Sequence, residues 1–344
     1  MNIHQAIDTE GAVPARKLRI APETTTKTLN LALQGGGAHG AFTWGVLDRL
    51  LEDERLNFEG VVATSAGGMN AAVLAYGLVE GGRQGARKAL ANFWRRVSHA
   101  AALSPMQPTI LDRLMGNRSL ENSMPYLAFD MMTRLMSPYQ FNPFNINPLR
   151  QVLEESVDFD VFKQTRCQLK LSLCATNVRT GKIKVFSNNE ISPDAVMASA
   201  CLPFLFQAVE IDGEAYGCES PDVLIVHINP MKRPDVPTTA SEILNRINEI
   251  SFNSSLMREM RAIDFVTRLI DVDVGALSLK RLFIHAIPSD EVMAGLSAAS
   301  KLNADWAFLT DLRDAGRARA SQWLDENFER IGKESSVDIH ETYL

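Results

Sequence analysis

The sequence has little cysteine, no long apolar run and no surplus of positive charge, and each shortage closes off a class of function. Four cysteines among 344 residues (Cys167, Cys174, Cys201 and Cys218) show no metal-type spacing. They read as reduced thiols of an intracellular protein, with Cys167 and Cys174 buried, rather than as a disulfide framework. No stretch of about 20 apolar residues occurs, so no transmembrane helix is expected. A net charge of −6 argues against nucleic acid as the main partner. Residues 1–27 are polar and mixed in charge, lack the apolar centre of a secretory signal, and read as a flexible arm. Residues 28–344 are then one domain of a cytoplasmic protein, possible contact with a membrane surface being peripheral. At 46% hydrophobic and 22% charged, the chain has enough apolar material for a sizeable core.

What is present is a repeated strand–loop–helix pattern. Leu29–Leu33 is a short apolar run ending in glycines, and Phe42, Val46, Leu47 and Leu50 then recur at helical spacing. Asn57–Gly60 reads as a turn, Val61–Ala63 as a second strand, and Met69–Val79 as an Ala-rich helix. This is a parallel α/β unit. From 92 to 147 the character changes. Met106, Met115, Met124, Met131, Met132 and Met136 mix with Phe129, Tyr139, Phe141 and Phe144. The span reads either as a helical layer packed on the sheet or as a helical cap whose soft side chains adapt to varied ligands. Further elements follow: a helix at 148–156, strands at 170–177 and 182–186, and a small helix at 192–200. A hairpin around Asp212-Gly213 precedes a central strand at 223–228. The last part, 239–344, is mainly helical, with a strand at 282–287 and a final helix over 306–331.

Two loops carry candidate chemistry. Gly35, Gly37 and Gly40 fit G-x-G-x-x-G, the spacing of a dinucleotide-binding turn. That fold needs a carboxylate at the end of the second strand, where Ala63-Thr64-Ser65 stand instead, and no Gly-Lys-Ser/Thr follows the glycines. A nucleotide binder is therefore the weaker reading of this loop. The second loop, Thr64-Ser65-Ala66-Gly67-Gly68, joins a buried strand to an apolar helix. A serine on such a sharp turn is pushed out at the C-terminal edge of the sheet, and small neighbours make the turn possible. Ser65 reads equally as the N-cap of a buried helix. Adjacent parallel strands end on the same edge, so backbone N–H groups of Gly36 and Gly37 would lie beside Ser65, placed to hold an oxyanion.

These motifs, with Ala198-Ser199-Ala200-Cys201-Leu202-Pro203, resemble those of the patatin-like phospholipase family; the resemblance spans about Leu29 to Pro230. It implies a three-layer α/β/α fold with a mostly parallel central sheet, and hydrolysis of acyl esters of lipids by a serine–aspartate dyad. It implies no metal or other cofactor. By that likeness Ser65 is the nucleophile in an elbow with Thr64, Ala66 and Gly67, and Gly35, Gly36 and Gly37 line the oxyanion hole. The chain departs from the family pattern at His39, where Arg or Lys is frequent, and at the base. The resemblance expects an Asp-Gly-Gly/Ala motif after the hairpin, yet Tyr216 runs through Gly217 into Cys218 with no such motif. Asp212 and Asp222 are poor substitutes. Either the Asp-bearing segment is deleted between Tyr216 and Cys218, leaving a lipid-binding or scaffolding pseudoenzyme, or the protein carries a segment there that the written sequence lacks.

The remaining candidates are weaker. His227 and His285 lie in apolar strands and read as core residues; a Ser65–Asp–His285 triad has no local motif behind it. His4, His99 and His340 read as peripheral. Arg83, Arg87, Lys88, Arg95 and Arg96 form either a solvated face or a patch for anionic headgroups.

Overall fold

The structure is a computed structural model that describes residues 26–102, 120, 123–163, 167–200, 220–233, 236–272 and 279–344. Residues 1–25 of the expected N-terminal arm, Met106, Met115, Cys201, Cys218, His4 and the hairpin at Asp212 lie outside the described residues, whereas Lys27, expected in that arm, already belongs to the first strand.

Six strands form one sheet: β1 (Lys27–Leu33), β2 (Leu56–Ala63), β3 (Lys170–Thr176), β4 (Ile183–Ser187), β5 (Asp222–Val226) and β6 (Phe283–Ile287). Their order is β4-β3-β2-β1-β5-β6, and all neighbours are parallel except the β3–β4 pair. The alternation of side chains along a strand sorts the two faces. Leu29, Leu31 and Leu33 of β1, with Leu224 and Val226 of β5, join the main core. Ala32, Val223 and Ile225 face a smaller cluster completed by Met260, Ile284 and Tyr343. The main core is closed by α1 (Gly40–Glu52), α2 (Ala66–Ala101), α4 (Pro148–Ser156) and α7 (Trp306–Asn327). The smaller cluster is closed by α6 (Ala240–Asp271) and a short helix at Ile339–Tyr343. Helices α3 (Met124–Leu135) and α5 (Pro193–Ser199) complete the larger set. This is the three-layer α/β/α arrangement. Among the described residues no helix is long and apolar enough to cross a membrane.

Several sequence-based expectations change. Asn57–Gly60 is not a turn: β2 already begins at Leu56, and its register with β1 skips Glu59, since Leu29 pairs with Phe58 and Asn30 with Gly60. A β-bulge uses the same residue types as a turn. Here it releases Glu59 to accept from the Ser220 N–H at 2.6 Å and from Lys170 Nζ at 2.9 Å. The helix expected at Met69–Val79 runs from Ala66 to Ala101, broken only at Gly81 and Gly82, where Gly82 has φ 59°. Residues 92–101 therefore belong to α2, with Phe93 and Trp94 in the main core. Cys167 and Cys174 are half-buried rather than buried. Leu171 and Leu173 take the core side of β3, so Cys174 takes the other. The final helix gives way after Asn327 to a 3-10 turn at Phe328–Arg330.

Arg83, Arg87, Arg95 and Arg96 of α2 find partners within the fold, while Lys88, Arg95 and Arg96 remain exposed. Arg87 pairs with Asp48 and Glu52, Arg96 with Glu155, and the Arg95 guanidinium sits 5.3 Å from the centroid of Trp306. Arg83 donates to the carbonyls of Leu51, Asp53 and Leu56. They tie α2 to its neighbours.

One buried polar bridge locks the two site-bearing helices together. Asn70 Nδ2 donates to the Gly40 carbonyl at 2.9 Å, and its Oδ1 accepts from Trp94 Nε1 at 3.0 Å. Asn70→Ala should leave the buried indole N–H without a partner. A loss of about 2–4 kcal/mol is expected from the unsatisfied group together with the void, read as a lowered urea midpoint at unchanged m-value.

Candidate functional site

The site starts from a register. Leu33 pairs with Ala63 at the ends of β1 and β2, so the loops that follow leave the sheet at the same level. The first loop, Gln34–Gly37, enters a 3-10 turn at Gly37–His39 and then α1. The second, Thr64–Ser65, enters α2 directly.

Ser65 has φ 55° and ψ −127°, a conformation that costs a non-glycine residue on the order of 1–3 kcal/mol. The surroundings impose it. The Ser65 N–H donates to the Ser199 carbonyl at 3.1 Å and to Ser199 Oγ at 3.2 Å. The Thr64 hydroxyl donates to the Cys174 carbonyl at 3.2 Å. Ser65 occupies the N-cap position of α2 but its side chain caps nothing. Capping therefore does not account for this serine, and its Oγ has no hydrogen-bond partner among the described residues. Gly35 lies directly against it: a Cβ on Gly35 would stand 2.6 Å from Ser65 Cβ. Gly37 has φ 59° and abuts the Lys301 carbonyl. The three glycines, Thr64, Ser65, Ala66 and Gly67 thus converge at one sheet edge; a Cβ on Gly67 would collide with the Leu33 carbonyl.

His39 faces the protein interior. Its Nε2 lies 2.8 Å from Ser300 Oγ. The Ser300 hydroxyl donates to the Ser297 carbonyl at 2.7 Å, so the imidazole carries its proton on Nε2. Burial, reinforced by Lys301 and Arg233, lowers its pKa to about 3. His39 is a neutral anchor of the glycine loop.

The alternative partners for Ser65 fall away on topology. Asp222 begins β5 and Ser65 follows the end of β2, so they stand at opposite edges of a parallel sheet, roughly 20 Å apart along the strands. Asp222 accepts from His285 Nε2 at 3.0 Å and from the Gly332 N–H at 2.8 Å, a buried structural pair. His227 Nε2 sits 2.9 Å from the Tyr343 hydroxyl, and burial lowers its pKa to about 4. His99 and His340 are exposed. The Tyr216–Cys218 junction lies outside the described residues.

The sequence reading overlooked a polar network behind the glycines. Gln34 Oε1 accepts from the N–H groups of Ile228 and Asn229 at 2.9 and 3.0 Å, and its Nε2 donates to Asn253 Oδ1 at 2.9 Å. Asn229 Nδ2 donates to the Gly35 carbonyl at 3.0 Å, and Asn229 Oδ1 accepts from Lys301 Nζ at 3.0 Å. Burial lowers the Lys301 pKa, with Glu249 acting in the opposite sense. A signal was available: Asn229 and Gln34 are amides placed where apolar strands end.

The imidazoles of His39 and His227 make stability pH-dependent. Their folded pKa values lie below the ordinary 6.5. Below that pH the unfolded chain binds protons that the fold refuses. Stability is therefore full above about pH 6.5 and falls as the pH drops toward the folded values, by about 2 kcal/mol per histidine at pH 5. Urea midpoints at pH 7.5 and 5.0 measure the drop, and His39→Gln, which keeps a donor to Ser300, should remove the share due to His39.

Comparison with known proteins adds the family. Solved structures that resemble the chain include VipD from Legionella pneumophila, at 14% identity and TM-score 0.37 over 87% of this chain and 67% of that one. ExoU from the type III secretion system of Pseudomonas aeruginosa also resembles it, at 14% identity and TM-score 0.35 over 89% of this chain and 52% of that one in its complex with SpcU. The chain thus spans about half the length of ExoU. Among curated protein sequences none matches. The patatin-like phospholipase family model matches residues 31–222. With more than half of its residues inside that match, the chain belongs to the patatin-like phospholipase family.

Proposed function

We propose that this protein is a serine acyl hydrolase that cleaves carboxylic esters of lipids, with Ser65 as nucleophile and the Gly35–Gly37 loop as oxyanion hole. The observation that carries the reading is Ser65 itself: a strained turn, an uncommitted hydroxyl, and glycine backbone packed against its side chain. Ser65 Oγ attacks the ester carbonyl and its proton passes to a base. The tetrahedral oxyanion is held by backbone N–H groups, each worth about 3–4 kcal/mol in such sites. The N-terminus of α2 favours the developing negative charge. The leaving alcohol takes the proton, and water then attacks the acyl-enzyme and frees the carboxylic acid. The family pattern expects an Asp as that base, and the sequence carries no Asp-Gly motif between Tyr216 and Cys218, where it would stand.

A second reading is a lipid-binding or scaffolding protein that has lost its base. What favours it is the sequence, which has no Asp-Gly-Gly/Ala motif, and a Ser65 hydroxyl with no carboxylate partner among the described residues. Loss of the base should cut turnover by about three to four orders of magnitude. Hydrolysis of a short p-nitrophenyl ester separates the two readings, and an intact mass above that of the 344 residues would reveal a further segment. Ser65→Ala should abolish hydrolysis at unchanged melting temperature, and a fluorophosphonate should label Ser65 alone. Label on another serine, or an active alanine variant, would remove Ser65 from the role.

The span up to 147 fits an apolar cap in this scheme. Met124, Leu127, Met131 and Leu135 of α3 are exposed, and Phe144 is 85% exposed. Binding of a long-chain acyl phosphonate at Ser65 should slow hydrogen exchange across 123–147. Unchanged exchange there would make the span a surface layer only.

A further inference from the structure

The glycine loop is fastened from behind by residues far away in the sequence. Asn229 is fully buried, with Nδ2 donating to the Gly35 carbonyl and Oδ1 accepting from Lys301 Nζ, both at 3.0 Å. An asparagine amide alone has two orientations, and the flipped one would set its oxygen against the Gly35 carbonyl oxygen. An ammonium only donates, so Lys301 admits one orientation: oxygen toward lysine, NH2 toward Gly35. Gly35 and Gly36 share a trans peptide, in which the C=O and the following N–H point in opposite directions. Holding the Gly35 carbonyl on Asn229 therefore turns the Gly36 N–H away from Asn229. The Lys301 ammonium lies 5.9 Å from the Phe252 ring centroid, and among the described residues no carboxylate comes within ion-pair distance of it. Its charge remains uncancelled at short range behind a loop that must meet an anion.

We propose that Lys301 is a positioning residue for the oxyanion loop: through Asn229 it sets the Gly35–Gly36 peptide, and it places a positive charge behind it. This rests on the reading of Gly35–Gly37 as the oxyanion hole.

Glycine-selective 15N labelling of the full chain reads the loop independently of turnover. K301M and N229L should shift the amide signals of Gly35, Gly36 and Gly37 and leave Gly181 and Gly332 in place; K301R should stay near wild type. Fluorophosphonate labelling of Ser65 and ester kcat should slow at least tenfold in K301M and N229L, with KM within about twofold, and recover in K301R. Should K301M not fold, K301Q against K301R carries the same comparison, since the glutamine keeps a donor and removes the charge. Unmoved loop signals overturn the proposal whatever the rates, and so do moved signals with an unchanged labelling rate. If wild-type Ser65 takes no label while the loop signals still move in K301M, the nucleophile reading fails and the fastening of Gly35 by Asn229 and Lys301 stands.

Discussion

The pairing of Leu33 with Ala63 governs the rest of the structure. Two parallel strands that end level deliver two unrelated loops to one point. Everything else near that point either allows the close approach or holds it. Gly35 allows the contact with Ser65, and Gly67 allows α2 to start beneath the carbonyl of Leu33. Ser199 fixes the strained peptide of Ser65, while Asn229 and His39 fix the glycine loop. The apolar face of the sheet supplies the free energy for this arrangement. β1 contributes Leu29, Leu31 and Leu33 to the core, and α1, α2 and α7 cover them.

Much of this was legible in the sequence because the determinants are local. A short apolar run before glycines, and a small-residue turn before an Ala-rich helix, specify strand, loop and helix over about a dozen residues each. The serine could not be assigned from its own segment, since an N-cap and an elbow share the same neighbours. Only its positive φ and the lack of a capping hydrogen bond separate them. The Asn57–Gly60 bulge was misread for a related reason: turn-type residues reveal a departure from regular pleating, but the partner strand decides whether the chain reverses.

What lay beyond the sequence is held by long-range contacts. Gln34 meets Asn253, Asn229 meets Lys301, and His39 meets Ser300 across separations that no periodicity records. The histidines show the limit from the other side. The apolar settings of His227 and His285 already suggested core residues, yet that His39 is an anchor becomes evident only with Ser300 in place. In the basic run from Arg83 to Arg96, Arg87, Arg95 and Arg96 find partners in Asp48, Glu52, Glu155 and Trp306, which no periodicity records, while Lys88, Arg95 and Arg96 stay exposed.

The link between His39 and Ser300 spans 261 positions, and this sets an order in time. On a ribosome adding about 5–20 residues per second, the elbow at Ser65 emerges roughly ten to fifty seconds before Ser300 and Lys301. Throughout that interval the nascent chain has no anchor for the glycine loop, because the residues that hold it have yet to be made. The contacts that hold the loop become possible only once Ser300, Lys301 and the helix after them have been made.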